Sequence, residues 1–160
     1  MNVRLLTLTA MIATLCALGA LVKLPVGIGT AALDAVPALV SVMFLPPVFS
    51  GIAALIGHLV SALSAGMPFG PFHVLIAAEM FVILWVFGLL HRTGKNMWKW
   101  IFFVLANGVL APLPFYFLIG PAFFYVAVPS LLIASCLNAG IAIMLAPLVK
   151  RVYKRVVVVK

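Results

Sequence analysis

Acidic residues are almost absent from this sequence: among its 160 residues only Asp34 and Glu79 carry a carboxylate, against ten lysines and arginines. Cysteine is equally scarce. Cys16 and Cys136 lie in apolar runs without the close spacing of a disulfide or metal framework, so we interpret them as small packing residues. HExxH, GxSxG and phosphate-loop motifs are also missing. We therefore expect a protein that is not an enzyme, with no catalytic residue, no cofactor and no metal site.

Apolar residues, by contrast, make up 67% of the chain, and the mean hydropathy of +1.37 is far above that of soluble domains. Apolar runs of about 18 to 20 residues recur, the length that crosses roughly 30 Å of hydrocarbon. The formal charge of +8 could suggest nucleic acid, but the basic residues lie in short segments between the runs. We expect a multi-pass protein of the lipid bilayer with no nucleic-acid partner.

The apolar runs predict an all-α fold, a single transmembrane domain over residues 1–160 with a bundle of six helices. The second run is the shortest, because ten residues of helix extend only about 15 Å, and Pro46-Pro47 separates it from the third. It completes a crossing only if the preceding Gly/Pro loop, residues 24–29, is ordered and borders a cavity. The predicted spans are residues 5–22, 36–45, 48–65, 73–90, 100–119 and 128–149.

The basic residues predict the orientation of the chain. With six spans both termini lie on one side, and all lysines and arginines except Lys23 fall there. By the positive-inside rule that side is cytoplasmic, which predicts a multi-pass protein of the bacterial cytoplasmic membrane. A cleaved signal peptide is the alternative for the first run, but its removal would spoil this charge pattern. The residues on the basic side are Arg4, Arg92, Lys95, Lys99, Lys150, Arg151, Lys154, Arg155 and Lys160.

Polar side chains inside the predicted spans are costly to bury, which makes them candidates for a binding site. At 1.5 Å per residue, Glu79, His58 and Asn138 lie about 9 to 14 Å below the outer helix ends, and Asn107 lies deeper, at about 18 Å. A shared level in the outer half predicts a pocket open to the outside, with the Gly/Pro loop at residues 67–71 as part of its lid. The full set of candidates is Asp34, His58, His73, Glu79, Asn107 and Asn138.

Each candidate has a structural alternative. A histidine or asparagine in a membrane often only bonds to a neighbouring helix, and Asp34 could cap the second helix. Glu79 has no basic residue at its depth, so it is protonated, paired with His58 or poised for a ligand. His73 is six residues from Glu79, about 120° around a helix, and we expect these two side chains to face different directions.

Two small residues, Ala13 and Ala17, stand four residues apart in the first run. In lipid this spacing lets another helix approach closely. The approaching helix could belong to a partner protein or to this chain.

Taken together, the features resemble the substrate-binding S component of energy-coupling factor (ECF) vitamin transporters. The resemblance covers the whole chain: its length, six spans, internal termini, long first loop and the small-residue pair in the first helix. Within that family, ALDAVPAL (32–39), GHLVSA (57–62), GPFH (70–73) and AEM (78–80) look most like the α-ribazole transporter group. That group salvages the nucleoside of the lower cobalamin ligand.

The resemblance implies a subunit of an ATP-driven uptake transporter that binds a vitamin-like small molecule and leaves ATP hydrolysis to its partners. Those partners are a transmembrane coupling subunit, which would dock at Ala13 and Ala17, and two ATPase subunits. The chemistry of the candidates suits such a ligand, since carboxylates and amides bind ribose hydroxyls and aromatic rings pack on a heterocycle. Alternatives are an S component for another vitamin or modified base, a small proton-coupled carrier, and a membrane structural protein. The aromatic candidates are Phe72, Tyr116, Phe123, Phe124 and Tyr125.

Overall fold

The structure, a computed structural model, describes residues 3–26 and 29–158 of the chain. Helices dominate it, and a two-stranded ribbon follows the first helix. The elements are α1 (Val3–Gly19), β1 (Lys23–Val26), β2 (Gly29–Ala32), α2 (Ala35–Ser41), α3 (Pro47–Ser64), α4 (Phe72–Arg92), α5 (Asn96–Leu105), a π turn (Ala106–Leu110), α6 (Leu113–Leu118) and α7 (Pro121–Val158). The all-helical prediction is confirmed.

Four helical stretches of the described chain are long and apolar enough to cross a membrane: α3, α4, the α5–α6 stretch Asn96–Leu118, and α7. Helix α1 is apolar but shorter, with 17 residues. Many large apolar side chains on these helices are exposed, as expected where they face lipid. A membrane-embedded multi-pass protein is therefore supported. The count of six spans and the side on which the termini lie stay predictions.

The second predicted span is the one that differs most from expectation. Helix α2 has only seven residues, about 10 Å of rise, and cannot cross a bilayer. The chain reaches it through β1 and β2, which pair antiparallel from Lys23 opposite Ala32 to Val26 opposite Gly29. Much of the Gly/Pro loop is thus ordered as a ribbon, while residues 27–28 lie outside the described residues. All of α2 except Pro37 is buried in the bundle.

Helices α1 and α3 pack closely at Gly57. A Cβ atom there would meet the Cβ of Cys16 and come within 3.1 Å of the Ala13 carbonyl oxygen, so only glycine fits. Ala13 is 4% exposed as a result. Of the predicted docking pair, Ala13 is therefore buried within the chain and has no surface for another subunit, which corrects its prediction. Ala17 is half-buried, and docking there stays a prediction.

Two prolines divide the fifth predicted span. Pro112 and Pro114 cannot donate to the carbonyl groups of the preceding turn. The hydrogen-bond ladder widens before them into the π turn, where the Ala111 amide donates to the Ala106 carbonyl at 2.8 Å. Helix α6 then begins at Leu113. The predicted distortion of this helix is confirmed.

Candidate functional site

A cavity of about 380 Å³ lies between α3, α4, the π turn, α6 and α7. Its volume is within the range of small-molecule sites. Its walls are apolar and aromatic apart from a few polar side chains. Those polar groups are His58, His73, Glu79, Asn107 and Ser130. Four of the six predicted site residues therefore share one cavity.

Helix α4 contributes His73, Ile76 and Glu79 to this wall. Three-residue steps keep side chains along one side of a helix. His73 and Glu79 nevertheless remain about 120° apart around the helix, and both line the cavity because it is broad enough to include both ends of this stretch. Helix α7 supplies the opposite wall in the same way, with Phe123, Val126, Ala127, Ser130 and Leu131 at helical spacing.

His58 pairs with His73 rather than with Glu79. The His58 Nε2 and His73 Nδ1 atoms are 3.2 Å apart, and the Phe69 amide donates to His73 Nε2 at 3.3 Å. We assign the protons from this network. Since His73 Nε2 accepts, a neutral His73 carries its proton on Nδ1 and donates it to His58. Because His58 Nε2 accepts this hydrogen bond, a neutral His58 carries its own proton on Nδ1. That N–H is the donor that the histidine pair can offer to a ligand.

The loop at residues 67–71 makes this pairing possible. It turns the chain back from α3 into α4 through left-handed conformations at Gly66, Met67 and Gly70. The turn brings His58, near the end of α3, against His73 at the start of α4. It also places the Phe69 ring over the cavity, 5.5 Å from the His73 ring and 5.6 Å from Phe123 between centroids. The loop thus forms part of the cavity wall.

Glu79 stands out among the polar groups because one carboxyl oxygen, Oε2, is buried and has no hydrogen-bond partner among the described residues. A buried carboxyl oxygen without a partner is costly. Glu79 also borders a second cavity, of about 430 Å³, between α4 and α5. That cavity is walled by Val82, Phe102 and Leu110 among others, and both Val82 and Leu110 are exposed on the outer surface of the bundle. Glu79 therefore lies between the aromatic cavity of about 380 Å³ and this second, apolar cavity.

Asn107 reaches the cavity from the π turn. One of its amide N–H groups donates to the Ser135 hydroxyl at 2.9 Å, and that hydroxyl donates to the Leu131 carbonyl at 2.6 Å. The bond to Ser135 fixes the side chain against α7. The π turn and Asn107 thus bring an amide to the same space as Glu79.

Asn138 does not reach the cavity, which corrects its prediction as a pocket residue. It is 3% exposed, and its hydrogen-bonding groups are used within the protein. Its Oδ1 accepts from the Ala35 and Val36 amides at 3.2 and 3.1 Å, and its Nδ2 donates to the Ala32 and Ala134 carbonyls at 2.8 and 2.9 Å. Both lone pairs and both N–H groups have partners. Asn138 holds the start of α2 against α7.

Asp34 is likewise outside the cavity. It precedes α2, but its side chain makes no capping hydrogen bond, because Asn138 already binds the first free amides of that helix. Asp34 lies instead beside the end of α1, where a Cβ on Gly19 would come within 3.3 Å of its Cα. Burial raises the pKa of the Asp34 carboxyl to about 6. The predicted capping role is wrong for this side chain.

One of the five aromatic residues predicted to pack on a ligand lines the cavity. Of the five candidates only Phe123 lines the cavity, together with Phe69 and Phe115. Phe72 lies behind Phe115, with ring centroids 5.8 Å apart, and Tyr116 packs with Phe124 and Tyr125 in a separate cluster. The spacing of Asn107, Ala111 and Phe115, four residues apart each time, was a signal for Phe115.

The arrangement suits reversible binding of a small molecule. Three rings offer apolar surface to a flat group, Glu79 offers an unused carboxyl oxygen, and His58 offers an N–H donor. Within the described residues no group of three histidine, cysteine or acidic side chains is placed to hold a metal ion. No family model matches the sequence, no curated protein is similar to it, and no solved structure matches its fold.

Proposed function

We propose that this protein is the substrate-binding membrane subunit of an ECF-type, ATP-driven uptake transporter. The observation that carries the proposal is the unpartnered Glu79 carboxyl oxygen in an aromatic-lined cavity of about 380 Å³. A buried acceptor without a donor is stabilised when a ligand hydroxyl or N–H reaches it. The cavity therefore favours a ligand that is flat and apolar in one part and carries hydrogen-bond donors in another.

A nucleoside such as α-ribazole has this composition. Its aromatic base would pack among Phe69, Phe115 and Phe123, and ribose hydroxyls would donate to Glu79. Asn107 and His58 would supply further polar contacts from the two sides of the cavity. The choice of α-ribazole among flat heterocyclic ligands rests on the resemblance of the sequence to that group of S components.

Energy for uptake would come from partner proteins. The sequence has no nucleotide-binding motif, so ATP hydrolysis falls to two ATPase subunits joined through a transmembrane coupling subunit in the bacterial cytoplasmic membrane. Because Ala13 is covered by α3, only Ala17 of the predicted docking pair would remain partly accessible to that subunit.

The test is titration of the purified protein with α-ribazole and a panel of vitamins. We expect submicromolar binding of α-ribazole, and a loss of about tenfold to a hundredfold in Glu79→Gln, since hydrogen bonds to charged groups contribute about 1.5–3 kcal/mol. Asp34→Asn is the matched control: it neutralises the other acidic residue, which lies outside the cavity, and should leave the affinity within about twofold. Binding of none of these ligands would remove the proposal.

A second candidate, a proton-coupled carrier, is favoured by the position of Glu79 between two cavities. A carboxyl group that borders both spaces could exchange a proton between them. The protein would then move its ligand across liposomes in response to a pH gradient without any ATPase. A flux assay distinguishes the two functions, because an S component alone gives binding without sustained transport.

A further inference from the structure

A third, smaller cavity, of about 100 Å³, lies at the other end of α4. His91 on its wall is 18 residues beyond His73, about 27 Å along the helix. The cavity is bounded by Met43 and Phe44 from the turn after α2, His91 from α4, and Lys150 and Tyr153 from α7. This space is distinct from the aromatic cavity, and the inference drawn from it does not depend on the proposed function.

The walls of the small cavity are held together by direct contacts. The Tyr153 ring stacks on Phe44 with centroids 5.6 Å apart, which fixes the last part of α7 against the turn after α2. Arg92 donates from Nη2 to the Leu45 carbonyl at 3.4 Å and ties the end of α4 to the same turn. The cavity is therefore built by three elements that contact one another.

His91 presents an N–H group on its outer nitrogen. Lys99 Nζ lies 2.7 Å from His91 Nδ1, and a lysine ammonium can only donate, so Nδ1 accepts. A neutral His91 therefore carries its proton on Nε2. Lys99 itself is 7% exposed; its other contacts are the Asn96 Oδ1 atom at 3.3 Å and the faces of two aromatic rings, Phe87 and Trp100. Its described partners are all uncharged.

Among the described residues, no acidic side chain lies close to the positive charge around His91. Arg92 is the residue next to His91, Lys99 Nζ lies 2.7 Å from the His91 ring, and Lys150 lines the same cavity. The sequence has only two acidic residues. Glu79 is 12 residues earlier in α4, about 18 Å away, and Asp34 lies beside the end of α1. Lys99 is buried, whereas Arg92 and Lys150 are exposed. A buried cation is ordinarily balanced by an anion, and no described residue supplies one to Lys99.

We infer that the small cavity binds the phosphate of an anionic membrane lipid. An anion there would meet the Lys150 ammonium and the His91 Nε2–H, with the positive charge of Lys99 behind the imidazole ring. Basic pockets between transmembrane helices are suited to anionic headgroups. The volume of about 100 Å³ admits a phosphate group rather than a peptide segment. Leu148 and Val152, exposed on α7 beside Lys150, offer apolar surface for the acyl chains.

The test uses the full-length protein in neutral detergent, titrated with dioctanoyl phosphatidylglycerol and followed by native mass spectrometry. Dioctanoyl phosphatidylcholine and inorganic phosphate are titrated in parallel. We expect one saturable phosphatidylglycerol per protein, with at least tenfold weaker binding of the other two. Lys150→Gln removes an exposed charge that lines the cavity, and should weaken phosphatidylglycerol binding by tenfold or more.

Arg151→Gln is the matched control, because it removes the same charge from the next residue of α7, which does not line the cavity. General attraction to an anionic surface amounts to about 1 kcal/mol per cation, or about fivefold. A loss of no more than that in Arg151→Gln, with the larger loss in Lys150→Gln, supports the site. Equal losses in both variants would overturn it. Displacement of the lipid by equimolar inorganic phosphate would also overturn it, since the ligand would then be a free anion.

Discussion

The hydrogen bonds of Asn138 predict that this residue stabilises the fold. In Asn138→Ala, the buried amides of Ala35 and Val36 and the carbonyl of Ala32 lose their side-chain partner. A typical intramolecular hydrogen bond contributes about 1 kcal/mol, and membrane proteins show similar or smaller values. Three bonds between separate elements therefore predict a loss of about 3 kcal/mol in the free energy of unfolding. For a chain of this size that lowers the melting temperature by roughly 6 to 12 °C.

Asn107→Ala is the matched control for this prediction. It removes the same side chain from a residue that lines the cavity and makes one bond, to Ser135. For Asn107→Ala we expect a loss of about 1 kcal/mol in the free energy of unfolding and clearly weaker binding of α-ribazole. Asn138→Ala should keep the wild-type affinity for α-ribazole, measured per folded protein. Thermal unfolding in detergent gives the first quantity, and calorimetric titration below the transition gives the second. If Asn138→Ala melts like the wild type, or loses binding while fully folded, the structural role assigned to Asn138 is wrong.

The remaining predictions concern packing and pH. Ala13→Leu should lower the free energy of unfolding by about 1–3 kcal/mol, because Ala13 is buried where α1 packs closely on α3 and a larger side chain would overpack that contact. Ala10→Leu, at an exposed residue of the same helix, should be nearly neutral in the same denaturation assay. Equal effects of the two substitutions would refute the burial of Ala13. For Asp34 the folded pKa of about 6 lies above its ordinary value of 3.8, so the folded state binds the proton more tightly and stability falls as pH rises from about 4 to above 6. Asp34→Asn should flatten that part of the melting-temperature profile, and an unchanged profile would contradict the burial of this carboxyl.

Hydropathy predicted the helices well because the signal is local. Helix α4 runs from Phe72 to Arg92 against a predicted 73–90, and α3 from Pro47 to Ser64 against 48–65. The same approach missed the start of α7, predicted near residue 128 and observed at Pro121. Helix α7 is continuous there although it contains Pro129, and membrane helices tolerate an internal proline.

The candidate site was predictable only in part, because depth in the membrane says nothing about direction around the helix. The sequence predicts similar depths for Glu79 and His58 and a greater depth for Asn107, and these three residues share a cavity. Asn138 has a similar depth but points toward the start of α2, a partner 102 or 103 residues away in sequence. The pairing of His58 with His73 depends on the turn between α3 and α4, which no periodicity reports.

The π turn has an angular consequence for the cavity. In a regular α-helix, Asn107 and Phe115 would point about 80° apart, since each residue adds about 100°. The π turn contains one extra residue, so the eight residues from Asn107 to Phe115 turn the chain by only about seven α-helical steps. The angle between the two side chains is then about 20°. The widened turn therefore rotates an amide and an aromatic ring toward the same space, and shortening residues 106–110 by one would rotate Phe115 away from it. In this protein a change of helical pitch therefore decides which side chains of this span can line the cavity together.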